Sequence, residues 1–354
     1  MAEFLNSSQP KAFILKSASS PSASLSSSDS KIVLSATSFE AWRLYIYELC
    51  GIYFQDNKKY LLESRLLKRI TYLKLNSFED YLKFLKFNPQ ARTERRYLYE
   101  AITINETFFF RNQPQLDALT SRIFQETIQA KKKFGQKKIR IWSAASSSGE
   151  EAYSIAMVIK EYIQPRFPQF SFEIVGTDIS KEMLEKARGG VYNDYAIKNL
   201  PLNFLKKNFT KTPRGFEIIG TDINEDVLDR AKNGVYKEYA IRNTPAFFLK
   251  KYFNVDGVNY IIDSKLKSMV KFSSLNLYDD IKMKSMSNFD IIFCANVLIY
   301  FDVKSKIKVV SHLYNSLNRG GYLFIGYAET LHGISKAFKL ESFPKTISYK
   351  KEWN

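Results

Sequence analysis

Several stretches set polar and charged residues among small or apolar ones. In ITINETFFFRN, Asn105, Thr107 and Arg111 bracket three phenylalanines, Phe108–Phe110. A buried aromatic knot explains the rings but not their polar flanks. In IRIWSAASSSGEEAYSIAM, Glu150 and Glu151 directly follow a turn of small residues. That turn has a single glycine, Gly149, so it lacks the G-x-G-x-x-G of a pyrophosphate loop. Paired carboxylates repel phosphate and suit a cation. S-adenosylmethionine has the matching chemistry: no phosphate, a sulfonium, an ammonium and a ribose diol. A local reading competes, because Ser148 and Glu151 have the S-x-x-E spacing of a capping box. Asp178 lies near the end of FEIVGTDI, and an acid at the end of a second strand is placed to hydrogen-bond a ribose.

The elements around these residues form a βα pattern. Ile139–Trp142 is β-prone, and Ala152, Ile155, Ala156 and Ile159 recur at helical spacing. Strand, tight turn and helix make the first unit of a doubly wound sheet, whose ligands sit at the carboxyl ends of the strands. Phe172–Ile179 reads as the next strand and Lys181–Arg188 as a helix. Residues 216–253 then copy residues 172–209, so that FEIIGTDI restates FEIVGTDI and Asp222 stands for Asp178. One repetition is too little for a solenoid. A doubly wound sheet has room for one second strand beside the first. The short link from the first helix favours Asp178 there, with copy two as an inserted unit near a small β subdomain. Because the copies are so alike, an exchange of places is the alternative. Phe289–Ile299 reads as a continuous central strand, and Lys304–Leu317 as the helix after it.

Upstream, residues 1–36 are serine-rich and read as a disordered tail. Residues 37–112 read as a helical domain. Thr37 and Glu40 have capping-box spacing, and Leu62, Leu66, Ile70 and Leu73 stripe a second helix. Arg65, Lys68 and Arg69 share a neighbouring face of it. Residues 113–354 carry the sheet.

The net charge is +17 and the two cysteines are Cys50 and Cys294. Such charge suits nucleic acid, an anionic membrane or an acidic protein, but dispersed lysines equally fit plain compositional bias. No apolar run approaches a membrane span, and no signal-peptide core or metal-ligand spacing occurs. A reducing cytoplasm is the expected compartment.

Taken in order, ITINETFFFRN, WSAASSSGEEAYSIAM, TDI, LNL and FCANVLIYF resemble the CheR family, the chemotaxis receptor glutamate methyltransferases. The resemblance spans residues 39–350. It implies an α/β protein: an N-terminal helical domain, then a doubly wound Rossmann-like methyltransferase sheet with a small inserted β subdomain. The internal tandem duplication is not a family feature. The implied reaction is methyl transfer from S-adenosylmethionine to receptor glutamates, leaving S-adenosylhomocysteine. The implied partners are the cytoplasmic helices of chemoreceptors, with no nucleic acid, no membrane insertion, no metal and a monomeric enzyme. By the same resemblance, Asn105, Thr107 and Arg111 line the cofactor and substrate pocket, and Glu151 with Glu150 holds the methionine end. Asp178 or Asp222 binds the ribose, Asn276 and Leu277 flank the adenine, Ala295 and Asn296 lie along the methionine, and Tyr300 faces the reacting groups. Arg111 and Tyr300 are the expected catalytic residues; Arg65, Lys68 and Arg69 are expected to read the substrate. Ala295 departs from the family's arginine, which keeps open an impaired, cofactor-binding signalling module. A nucleic-acid methyltransferase would carry N-P-P-Y where this chain has N-V-L-I-Y.

Overall fold

A computed structural model describes residues 32–189, 191–196, 219–221, 235–239, 241, 243–256 and 259–353. Most of the serine-rich stretch lies outside them. The first helix starts slightly earlier than its sequence suggests. Leu34 is already fully buried, and Ser35, not Thr37, caps α1 (Ala36–Cys50) through the Ser38 N–H. Helices α2 (Lys59–Tyr72), α3 (Phe78–Phe87) and α4 (Ala91–Ile102) complete the helical domain. Leu62, Leu66 and Ile70 are buried as their spacing predicts, and Ser77 caps α3. A long helical run follows: α5 (Gln113–Ala118), a π-helical turn (Leu119–Ile123) and α6 (Phe124–Lys133).

The central sheet is built on β1 (Lys138–Ala144), with β2 (Ser171–Asp178) parallel on one side and β9 (Phe289–Cys294) parallel on the other. Beyond β9 come β10 (Leu317–Ile325), β12 (Thr346–Lys351) and β11 (Phe338–Phe343); on the far side lies β8 (Val270–Ser274). Successive side chains leave a strand on opposite faces. Ile141, Ile291 and Phe293 therefore join one core layer, with Ile155 of α7 (Glu150–Val158). Trp142, Ile292 and Leu323 join the other, with Val309 and Leu313 of helix Val303–Ser316. All six residues of β9 are buried. The strand stops at Cys294, shorter than the apolar run to Ile299, because Asn296 turns the chain at φ 63°.

The duplication enters both sheets. In copy one, β2 leads to α8 (Lys181–Gly189) and β3 (Val191–Ala196). In copy two, β4 (Ile219–Thr221) lies parallel to β2, Val175 opposite Ile219 and Thr177 opposite Thr221. It also pairs with β8, although β2 reaches β8 directly at Ile174–Val270 and Asp178–Ser274. Copy two thus contributes an eighth strand to the main sheet and is not confined to the small subdomain. Near-identical sequence explains this, since β4 can form the pairs that β2 forms. The small sheet holds β3, β5 (Val235–Tyr239), β7 (Asn259–Ile262) and β6 (Phe253–Asp256). There β6 covers one edge of β7, and both copies claim the other. Ile261 is registered with Val191 and with Val235, and Tyr260 with Tyr192 and with Tyr236.

Candidate active site

At the carboxyl ends of the central strands lies a cavity of about 320 Å³, where doubly wound sheets hold their ligands. The turn after β1 forms its inner wall. Ala145 and Ser147 take left-handed conformations, at φ 54° and 48°. Ser147 N donates to Asp178 Oδ2 at 2.9 Å and its hydroxyl to the Asn105 carbonyl at 3.0 Å. Ser146 N donates to the Thr177 carbonyl. The small residues let the turn tie three segments together. Gly149, at φ 88°, cannot be replaced cheaply: a Cβ there would stand 2.6 Å from that of Ala187 and 2.7 Å from the Phe272 ring.

No capping box forms. The Ser148 hydroxyl bonds the Glu150 carboxylate, and Gly149 occupies the cap position without a side-chain bond. Glu151 lines the cavity, accepting from the Ser143 hydroxyl at 2.7 Å. Burial pushes its carboxyl up to about 7, against the pull of Ser143 and Arg111. Glu150 is displaced from the expected cofactor set. One residue is about 100° of helix, and this turns Glu150 into the protein, 1% exposed and bonded to Ser148.

Asp178 meets the cavity at the end of β2. Its two oxygens accept from Ser147 N and Ser180 N, and burial raises it to about 6 against those bonds. Asp222 lies outside the described residues. Asn276 and Leu277 line the same end, but the Asn276 amide is already engaged, donating to the Leu49 carbonyl and accepting from Tyr278 N. It joins the helical domain to the sheet.

Asn105, Thr107 and Arg111 line the cavity as well. Phe109 and Phe110 form the buried part of the knot, against Phe253 and Phe248 at 5.1 and 4.7 Å. Phe108 stays nearer the surface beneath the Arg111 guanidinium, 5.5 Å from its ring centre. Arg111 donates to the Glu106 carbonyl and lies close enough to Glu151 and Tyr300 to favour the charged form of each. Burial raises the Tyr300 phenol, with Arg111 and Arg65 opposing it. Ala295, Asn296 and Tyr300 lie on the loop after β9.

Glu329, which the sequence reading missed, holds that loop. Its carboxylate accepts from the backbone N–H groups of Asn296 (3.0 Å), Ile299 (3.1 Å) and Gly326 (2.6 Å). An acid just past the end of β10, at the ligand-binding edge, was the available signal. Gln115 was missed too. It is 4% exposed and lines the cavity, with Nε2 donating to the Ile325 carbonyl at 2.6 Å.

The expected basic face of α2 divides. Arg69 grips Glu94 in a fork at 2.8 and 2.7 Å, Tyr81 bonds the same carboxylate, and the guanidinium stacks on Tyr72 and Tyr97. It serves the packing of α2 on α4 and is not free to read a substrate. Arg65 donates to the Ile102 carbonyl at 2.9 Å. Lys68 is exposed.

These side chains match S-adenosylmethionine. Asp178 offers acceptors for a ribose, Leu277 an apolar face for an adenine, and Glu151 with Arg111 opposite charges for a zwitterion. Among the described residues no acidic, histidine or cysteine cluster suits a metal. The family model for the CheR methyltransferase SAM binding domain matches residues 105–217 and again 204–347, and that for the CheR all-alpha domain matches 37–103. The chain belongs to the CheR methyltransferase family. Each of the two matches to the SAM binding domain contains one of the copies. A Vibrio cholerae chemotaxis protein methyltransferase 2 is 32% identical over 91% of this chain and 95% of its own length. A chemotaxis protein methyltransferase of Vibrio parahaemolyticus is 33% identical over 90% and 98%, and one of Borreliella burgdorferi 31% over 81% and 86%. The CheR-family chain is therefore an S-adenosylmethionine-dependent methyltransferase, and no helix among its described residues is long and apolar enough to cross a membrane.

Proposed function

We propose that this CheR-family enzyme methylates glutamate side chains on the cytoplasmic helices of chemoreceptors, working as a monomer in the cytoplasm. The observation that carries the reading is the meeting of Arg111, Glu151, Asp178 and Tyr300 in one cavity beneath the helical domain. The cofactor supplies a methyl group made electrophilic by a positive sulfur. A glutamate is already ionised at neutral pH, so the protein need not remove a proton. Its task is to strip water from the carboxylate and hold it in line, which can supply several kcal/mol. Arg111 presents a planar fork that orients a carboxylate. Its bond to the Glu106 carbonyl uses part of that fork and tempers its grip. Tyr300 orients a second oxygen or the methyl group. Glu329 keeps the Tyr300 loop in place through two backbone bonds and is itself tied to Gly326 by a third.

The helical domain closes the cavity. Tyr53 N donates to the Tyr300 carbonyl, and Ile52 bridges Phe301. A receptor helix lying along α2 would reach the cavity near Arg65 and pass Lys68.

The test uses radiolabelled S-adenosylmethionine with membranes that hold the native receptors. Label should enter receptor bands and leave as methanol in base, as esters do. Cofactor binding without label in receptors would favour the signalling-module reading that Ala295 keeps open.

A further inference from the structure

We propose that Gln115 recognises the α-ammonium group of S-adenosylmethionine, its side-chain oxygen acting as a second acceptor beside the Glu151 carboxylate. The orientation of the amide follows from its partner. The Ile325 carbonyl can only accept, so the bond at 2.6 Å must come from Nε2. That sends Oε1 the other way, where it is buried with no protein partner. Gln115 is 4% exposed and lines the cavity. A buried carbonyl oxygen left unpaired costs about 1–3 kcal/mol, so a donor brought by a ligand is favoured.

Strand order says which part of the ligand brings it. Across the sheet run β8, β4, β2, β1, β9 and β10. Asp178 on β2 and Leu277 just past β8 both line the cavity, and in the proposed cofactor site they would hold the ribose and the adenine. An elongated cofactor anchored there extends the other way, over β1, β9 and β10. Gln115 is fastened at that end, to the last residue of β10. The donors at that end of the cofactor are the N–H groups of its ammonium. Arg111 and Glu151 already offer one charge of each sign for the zwitterion, but Glu151 alone leaves ammonium protons to be shared. The Ala295 side chain, also on the cavity wall, adds no donor or acceptor.

This inference rests on the cavity being the cofactor site, and one calorimetric experiment separates the two claims. S-adenosylhomocysteine carries the ammonium; 5′-methylthioadenosine keeps the nucleoside and thioether but lacks the amino-acid end. The wild-type protein should bind S-adenosylhomocysteine, and failure to do so would overturn the cofactor reading itself. Gln115→Met preserves side-chain length and removes the oxygen. Its lost bond to Ile325 is common to free and bound protein and largely cancels. The variant should bind S-adenosylhomocysteine about tenfold more weakly and 5′-methylthioadenosine within about twofold of wild type. Equal loss for both ligands, or no loss for either, would overturn the role given to Gln115. If Gln115→Met does not fold, Gln115→Asn replaces it. One methylene shorter, it keeps an amide in the cavity but cannot span Ile325 and the ligand, and the same two-ligand comparison decides.

Discussion

Arg111 sits within electrostatic reach of both Glu151 and Tyr300. Arg111→Ala should therefore lower methyl incorporation by about 10²-fold or more while its circular dichroism stays that of wild type. Label incorporation near the wild-type rate would remove Arg111 from the mechanism. Tyr300→Phe should lose less turnover than Tyr300→Ala, since the ring keeps its packing. Glu151 makes the cavity sensitive to pH. Its carboxyl rises from 4.5 unfolded to about 7 folded, so between those values the empty folded protein binds the extra proton. Stability of the empty protein contributed at this site falls as pH rises through that window. A bound ammonium reverses the preference, so affinity for S-adenosylhomocysteine should climb towards pH 7 and then level. Glu151→Gln should flatten the climb between about pH 6 and 7, leaving the lower part that Asp178 contributes. An unchanged profile in calorimetry would mean that the Glu151 carboxylate does not meet the ligand. Glu151 was legible in the sequence because two acids directly follow a turn of small residues that lacks a pyrophosphate fingerprint. Its neighbour Glu150 was indistinguishable by type, and only the helical rotation separates them. Gln115 was illegible for a different reason: a glutamine announces nothing until its nitrogen is seen to be engaged and its oxygen is not.

At the level of elements, α2 illustrates how spacing identifies a face without naming what covers it. Arg65 and Arg69 do share a side, yet α4 supplies Glu94 to one and the Ile102 carbonyl to the other. Reversing Arg69 to glutamate would set two carboxylates against each other in a nearly buried site, with Glu94 only 5% exposed. Arg69→Glu should cost about 3–5 kcal/mol of stability, read as a lowered Tm before any effect on substrate. Lys68→Glu is the cleaner probe of receptor binding. It should raise the apparent KM for receptor, with Tm and cofactor affinity unchanged and the effect fading in high salt. A KM equal to wild type at low salt would exclude Lys68 from the docking face. The buried stripe Leu62, Leu66 and Ile70 of α2 and the strand character of β1, β2 and β9 followed from periodicity, whereas the cap of α1 fell on Ser35 and not on Thr37. The early end of β9 did not, because it depends on Glu329 capturing the N–H groups of Asn296 and Ile299, about thirty residues away in the chain.

For the molecule as a whole, the order of helical domain, doubly wound sheet and small sheet was readable from motifs in sequence. Where the second copy goes was not, since two near-identical segments carry the same local instructions. Strand β2 lies against β1 along its full length, from Lys138–Ser171 to Ala144–Thr177, and it brings Asp178 to the cavity. Asp178→Ala should accordingly weaken cofactor binding by about tenfold or more, and Asp222→Ala should leave it near wild type. Calorimetry showing the loss in Asp222→Ala alone would reverse the assignment; partial loss in both would mean that the copies share the site. Deletion of residues 197–240, which joins residues 172–196 of copy one to residues 241–253 of copy two, should yield a folded protein that still binds S-adenosylhomocysteine. Failure of that shortened chain to fold would show that the extra strand has become indispensable.

The free edge of β7 is claimed twice in the same register. In genetic terms this is redundancy inside a single chain. A substitution that spoils pairing by β3 leaves β5 in reserve, and the reverse holds, so damage to either of these strands is masked by its twin. Glu151, Arg111 and Gln115 exist once and have no such cover. A saturation mutagenesis map of this chain should show tolerant windows over β3 and β5, while Asp178 and the cavity stretches outside the repeats feel almost every change.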